Sequence, residues 1–206
     1  QARTAANQLR TLKRDQKDRA LHVLAGMLLS EKYTLLEANA KDVDLAEEEG
    51  LSAAMNDRLR LDQSRLAGMA EDLRKVAQLD DPVGEVFDKE TLPNGLSVNK
   101  QRVPIGVLAV IYESRPNVTV DVSSLALKSG NSVILRGGKE TLHSNRALVK
   151  VIHTALKQAG IPEDAVLFIG STDRSLVMEL LQMYETVDML IPRGGAGLHR
   201  FCRENS

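Results

Sequence analysis

Four short stretches of this chain hold the residues that could do chemistry, and each follows an apolar run. Glu113-Ser114-Arg115-Pro116-Asn117 follows VLAVIY, and Arg136-Gly137-Gly138-Lys139-Glu140 follows SVIL. Gly170-Ser171-Thr172-Asp173 follows AVLFI, and Pro192-Arg193-Gly194-Gly195-Ala196-Gly197-Leu198-His199-Arg200 follows VDMLI. Glycine lets backbone come close to a ligand, and arginine or lysine beside it offers charge-assisted hydrogen bonds to phosphate. The chemistry suggested is the holding of a phosphorylated ligand.

The stretches differ in what they offer. Arg115 could face a phosphate or join a surface ion pair, and Asn117 is expected to cap the following helix. Arg136 and Lys139 flank the Gly137-Gly138 pair. At this strand end of a dinucleotide fold an acidic residue binds the ribose 2′-hydroxyl, whereas a basic one favours a 2′-phosphate. Gly170 and Ser171 read as a helix start with hydroxyl caps, able to bind an anion or only to cap. Arg193, Gly194 and Gly195 open the most site-like stretch. Its helix would aim free N–H groups at whatever the glycines admit. The alternative is a tight strand-to-helix turn. GxGxxG is absent, so the usual dinucleotide fingerprint gives no support.

A repeating strand–helix rhythm over residues 104–206 must position these stretches. Strands are expected at Val107–Tyr112, Ser132–Leu135, Ala165–Ile169 and Val187–Ile191, with helices at Val118–Lys128, Leu142–Gln158 and Ser175–Met183. Continuous apolar strands alternating with helices predict a parallel sheet with right-handed crossovers. Ligands bind such sheets beyond the carboxyl ends of the strands. Upstream, residues 1 to about 79 carry leucines at helical spacing, broken at Gly50, and these are expected to pack a core. Residues 82–103 alternate apolar and polar types around Pro93-Asn94-Gly95, a hairpin signal. That ribbon could pack on this chain or lend an edge strand to another subunit.

Composition narrows the function. Of 206 residues, 43% are hydrophobic but only 3% aromatic, so the core is aliphatic. A net charge of −1 and few stacking aromatics argue against nucleic-acid binding. No apolar run is long enough for a membrane span, and QARTAANQLRTLKRDQ lacks a signal peptide's apolar stretch. A cytoplasmic protein is expected. The four histidines are unclustered, so no metal site is assigned. Cys202, the sole cysteine, has no nearby group to make it a thiolate. The chain stops at FCRENS without a closing strand and reads as a portion of something longer.

Val103–Leu148 (VPIGVLAVIYESRPNVTVDVSSLALKSGNSVILRGGKETLHSNRAL) and Leu190–Ser206 (LIPRGGAGLHRFCRENS) closely resemble gamma-glutamyl phosphate reductases. The helical segment LLEANAKDVDLAEEEGL resembles the same family, so the likeness spans the chain. It implies an α/β, aldehyde dehydrogenase-like fold. N-terminal helices (1–81), a β-ribbon (82–103) and a variant Rossmann-type parallel sheet (104–206) would together form an NADP-binding domain. The implied reaction is NADPH-dependent reduction of L-glutamyl 5-phosphate to L-glutamate 5-semialdehyde in proline biosynthesis, with glutamate 5-kinase as a candidate metabolic partner and a homo-oligomeric whole. A cysteine thiolate displaces phosphate, and hydride reduces the resulting thioester.

The strand-end readings give Arg115, Arg136, Gly137, Gly138, Lys139, Gly170, Ser171, Arg193, Gly194 and Gly195 as the expected cofactor-binding positions. No catalytic residue is assigned. The family's nucleophilic cysteine lies downstream of the segment matched by FCRENS, and Cys202 corresponds to a different cysteine. The isolated chain is therefore expected to be inactive. The competing reading is a non-catalytic module that binds nucleotide or only assembles.

Overall fold

The computed structural model describes residues 1–173 and 175–206. Helices α1 (Ala2–Leu9), α2 (Arg14–Ser30), α3 (Lys32–Glu48), α4 (Ala53–Leu59) and α5 (Gln63–Gln78) come first. Asp62 starts α5 by accepting a hydrogen bond from the Arg65 N–H at 2.7 Å. Leu21, Leu24 and Leu28 of α2 are buried in one core with Leu66, Met69 and Leu73 of α5. Each such side chain contributes about 1.5–3 kcal/mol on burial.

Polar residues on α3 do structural work. Buried Asp42 accepts from the backbone N–H of His143 (3.0 Å) and of Ser144 (2.7 Å), and from Ser144 Oγ (2.6 Å). It thus caps helix α7 (Leu142–Gln158) from another element. Asn39 accepts from Leu61 N–H at 2.6 Å and donates to Leu59 O at 2.9 Å, tying the α4–α5 link to α3. Two buried lysines tie other helices. Lys17 pairs with Asp81 and Lys128 with Asp18, each at 2.5 Å. Their ammonium groups also donate to the carbonyls of Lys128 and Ala77 respectively.

Strands β1 (Val86–Thr91) and β2 (Ser97–Gln101) form an antiparallel ribbon. Its turn runs through Asn94 and Gly95, where Gly95 has φ +86°. The expected alternation does not become an inside and an outside: almost every ribbon residue is exposed, Val86 and Val98 included. Of the two placements open at the sequence, packing on this chain is not adopted.

The second half is a four-stranded parallel sheet in the order β5-β4-β3-β6. Its strands are β3 (Val107–Tyr112), β4 (Ser132–Arg136), β5 (Val166–Phe168) and β6 (Met189–Arg193), interleaved with α6 (Asn117–Lys128), α7, α8 (Ser175–Leu181) and α9 (Ala196–Asn205). Leu108, Val110, Tyr112, Val133 and Leu135 face the large helical core. Val107, Ala109, Ile111 and Ile134 face a second cluster with Val177, Leu180, Cys202 and α1 residues Ala2 and Ala6. Both faces of β3 and β4 are covered, which is why these strands read as uninterrupted apolar runs, whereas β6 is largely exposed.

Several sequence expectations shift: the third strand is shorter than expected, Val166–Phe168, and the helix starting at Ser175 ends at Leu181 rather than Met183. The fourth strand lies two residues later than expected, so Pro192 and Arg193 belong to β6, opposite Ile111 and Tyr112 of β3. An edge strand tolerates a proline there because no further strand calls on its missing N–H. Asn117 does not cap α6. Pro116 occupies the cap position, and the Asn117 side chain donates to Asp121 one turn on, at 2.9 Å.

Candidate functional site

The strand order reverses between β3 and β6: the chain steps from β3 to β4 to β5 on one side, then crosses to β6 on the other. Open parallel sheets bind ligands at this place, beyond the carboxyl ends of the strands. Two clefts meet there. One, of about 600 Å³, is lined by Arg136, Gly138, Lys139, Glu140, Thr172 and Leu198 among others. The other, of about 450 Å³, includes Arg115, Arg193, Gly194 and Gly195. Glu113 and Ser114 border both.

Arg136, Gly138 and Lys139 of the expected residues line the first cleft and Arg115, Arg193, Gly194 and Gly195 the second, whereas Gly137, Gly170 and Ser171 line neither. Arg136 ends β4, is 9% exposed, and donates through Nη1 to Gly137 O at 2.7 Å. Lys139 is exposed and holds both carboxylate oxygens of Glu49, at 2.7 and 2.9 Å. Arg115 and Arg193 lie at the second cleft. Among the described residues Arg115 has no ion pair, whereas Arg193 faces Asp121 and partly offsets the rise that burial gives that carboxyl.

The glycines divide the same way. Gly137 does not line the cleft. A Cβ there would lie 2.2 Å from Asn145 Nδ2. That amide belongs to a buried chain in which Tyr112 and Thr119 hydroxyls meet at 2.7 Å, and Thr119 Oγ1 donates to Asn145 Oδ1 at 2.8 Å. Asn145 Nδ2 then donates to Thr141 Oγ1, which donates to Gly138 O at 3.0 Å. Burial pushes the Tyr112 hydroxyl pKa up, so it stays a protonated donor. The Gly-Gly turn is fixed from beneath. Gly194 has no room either, because a Cβ would meet Glu113 Oε2 at 2.4 Å, whereas one on Gly195 would point into open space.

The third strand end contributes less than expected. Arg146 Nη2 donates to Gly170 O at 2.5 Å, and neither Gly170 nor Ser171 lines the larger cleft, although Thr172 does. Asp173 caps α8 by accepting from Ser175 N–H at 2.8 Å, and that bond lowers its pKa. Glu113, Ser114 and Glu140 stand in the strand-end stretches marked by the sequence but were given no role there, and Glu49, on α3's C-terminal side, carried no local signal at all.

Cys202 is 2% exposed within the second core cluster, and burial raises its thiol pKa. Among the described residues no three His, Cys, Asp or Glu side chains gather as metal ligands, and no helix is long and apolar enough to cross a membrane.

Comparison with known proteins places this architecture. The chain is 55% identical over 205 residues to a gamma-glutamyl phosphate reductase of Dehalococcoides mccartyi, and 56% identical to that of Pectobacterium carotovorum. The whole chain is related to gamma-glutamyl phosphate reductases. It is covered completely in both alignments but spans only 48% and 49% of those relatives, about half their length. The Thermotoga maritima gamma-glutamyl phosphate reductase superposes with a TM-score of 0.96 at 45% identity, covering 100% of this chain and 50% of that one. A probable aldehyde dehydrogenase of Listeria monocytogenes shares the fold, with TM-score 0.76 at 17% identity over 100% of this chain and 42% of its own. No family model matches. The fold is aldehyde dehydrogenase-like, with N-terminal helices, a parallel sheet and a β-ribbon.

Proposed function

We propose that this chain is the cofactor-binding portion of an NADPH-dependent enzyme that reduces L-glutamyl 5-phosphate to L-glutamate 5-semialdehyde, releasing phosphate, in proline biosynthesis. The observation that carries the reading is the end-to-end 55% identity to gamma-glutamyl phosphate reductases. The switch-point clefts support it, because they hold the groups a phosphorylated dinucleotide needs. Arg136 and Lys139 at the end of β4 suit a ribose 2′-phosphate, and the open side of Gly195 at the start of α9 suits a phosphate near backbone N–H groups. When bound, the nicotinamide supplies the hydride. The residues of this chain bind and orient it; the thiolate that takes the acyl group is not among them, since the single cysteine is buried.

Residues 1–81, 82–103 and 104–206 act together as the NADP-binding domain. The whole enzyme is a cytoplasmic homo-oligomer, supplied with its acyl phosphate by glutamate 5-kinase. The exposed ribbon favours a second role for this part, assembly. Nucleotide titration followed by a single-turnover assay tests the reading. Binding of NADPH without its oxidation by the acyl phosphate is expected. Failure to bind either NADPH or NADH would leave only the assembly role.

A further inference from the structure

Ser114 holds a left-handed backbone, φ +46°, in the turn between β3 and α6. Residues with side chains seldom adopt this conformation, and where they do the surroundings hold it and function is often nearby. What holds Ser114 is one oxygen. Its N–H and its Oγ both donate to Glu140 Oε1, each at 2.7 Å. Glu140 sits in the 3₁₀ turn Lys139–Thr141 that follows β4, the strand paired with β3. The bond therefore ties together the carboxyl ends of two neighbouring strands.

Gly138 belongs to the same arrangement. Its φ is −63°, so no left-handed backbone calls for glycine. A Cβ on it would instead lie 2.3 and 2.5 Å from the two carboxylate oxygens of Glu140. A Cβ there would displace the carboxylate whose Oε1 holds Ser114. The turn it holds carries Glu113, which reaches across to α9, and Arg115, which lines the second cleft.

We propose that Glu140 is a positioning residue for the cofactor cleft: its carboxylate clamps the β3–α6 turn, and Gly138 is bare to admit that carboxylate. The inference rests on reading the cleft as the NADP site. Glu140 itself need not touch the cofactor; it sets the wall against which the cofactor lies.

Amide hydrogen exchange and NADPH titration on the chain test this with Glu140→Ala, Gly138→Ala, the double variant, Glu140→Gln and Ser114→Ala. The Ser114 amide should be protected in the wild type and exchange freely in Glu140→Ala. The Kd for NADPH should rise about tenfold in Glu140→Ala, a loss of one hydrogen-bond-sized contribution. Gly138→Ala should reproduce that loss, and the double variant should be no worse than either single one, because both remove the same contact. Glu140→Gln retains an acceptor oxygen and should bind nearly as the wild type does. Ser114→Ala, a mild change that keeps the fold, should weaken binding by about threefold, since one of two hydrogen bonds remains. Additive losses, or an unchanged Kd in Glu140→Ala with Ser114 released, would overturn the clamp's role. A Ser114 amide unprotected in the wild type would overturn the clamp itself. A wild type that protects Ser114 but binds neither NADPH nor NADH would overturn the proposed function, and the role in binding with it.

Discussion

Glu113 and Gly195 are joined across the switch point of the sheet: the Gly195 N–H donates to Glu113 Oε2 at 3.1 Å, over 82 residues of sequence. The carboxylate lies where the first turn of α9 presents backbone N–H groups, a position that favours negative charge. It also explains why Gly194 and Gly195 are not equivalent, since only Gly194 is closed off by that carboxylate.

On the proposed function, an anionic cofactor phosphate approaching Gly195 would compete with Glu113. Glu113→Gln should therefore tighten NADPH binding, and the gain should shrink as salt rises. Gly195→Val should leave the protein folded and block NADPH, because its added atoms occupy the open side. Fluorescence titration beside circular dichroism checks both. Normal NADPH binding by folded Gly195→Val would make the turn purely structural.

Neutralising Arg136 or Lys139 should weaken NADPH more than NADH, by roughly 1–3 kcal/mol for a lost charge-assisted bond. Because Lys139 is held by Glu49, Glu49→Gln should move the other way and favour NADPH modestly, by about 1 kcal/mol or less for an exposed pair. Parallel titrations with both cofactors decide it. Equal losses for the two would remove the 2′-phosphate assignment.

Asp42→Ala should destabilise the chain by about 3 kcal/mol, since two backbone N–H groups and a hydroxyl lose their shared acceptor in a buried place. Urea unfolding measures the cost. Cofactor binding by the remaining folded protein should be unchanged, because Asp42 caps α7 from the side of α3 and lines neither cleft.

Cys202→Ser should leave NADPH binding intact and cost on the order of 1 kcal/mol in packing. Its side chain is buried, and burial raises its thiol pKa, which disfavours the thiolate. In a longer protein carrying the downstream segment, most activity should survive the change. Loss of thioester formation in that protein, with the fold preserved, would make Cys202 the nucleophile after all.

The exposed ribbon has two open strand edges, which natural proteins cover or pair. The intact enzyme should sediment as a dimer or larger, and Val86→Lys with Val98→Lys should shift it towards monomer. A wild-type protein that sediments as a monomer at micromolar concentration would count against assembly through the ribbon.

The sequence by itself determined the elements that depend on neighbours a few residues apart. The period of the leucines marked the first half as helical, though not where α1, α2 and α3 or α4 and α5 divide; the apolar runs set β3 and β4, and Leu142–Gln158 is a helix at the expected bounds. It also marked the strand ends where Arg136, Lys139, Gly194 and Gly195 stand. It placed β6 two residues early, because a proline reads as a break until the edge position that tolerates it is known. Tertiary structure alone decided which partners those residues have. Gly137 faces Asn145, Gly138 faces Glu140, Lys139 reaches Glu49, and Glu113 spans to Gly195. These contacts join residues from 2 to 90 positions apart, and each depends on side-chain direction and strand order. Local periodicity carries neither, so the strand ends were legible in the sequence and the interactions made there were not.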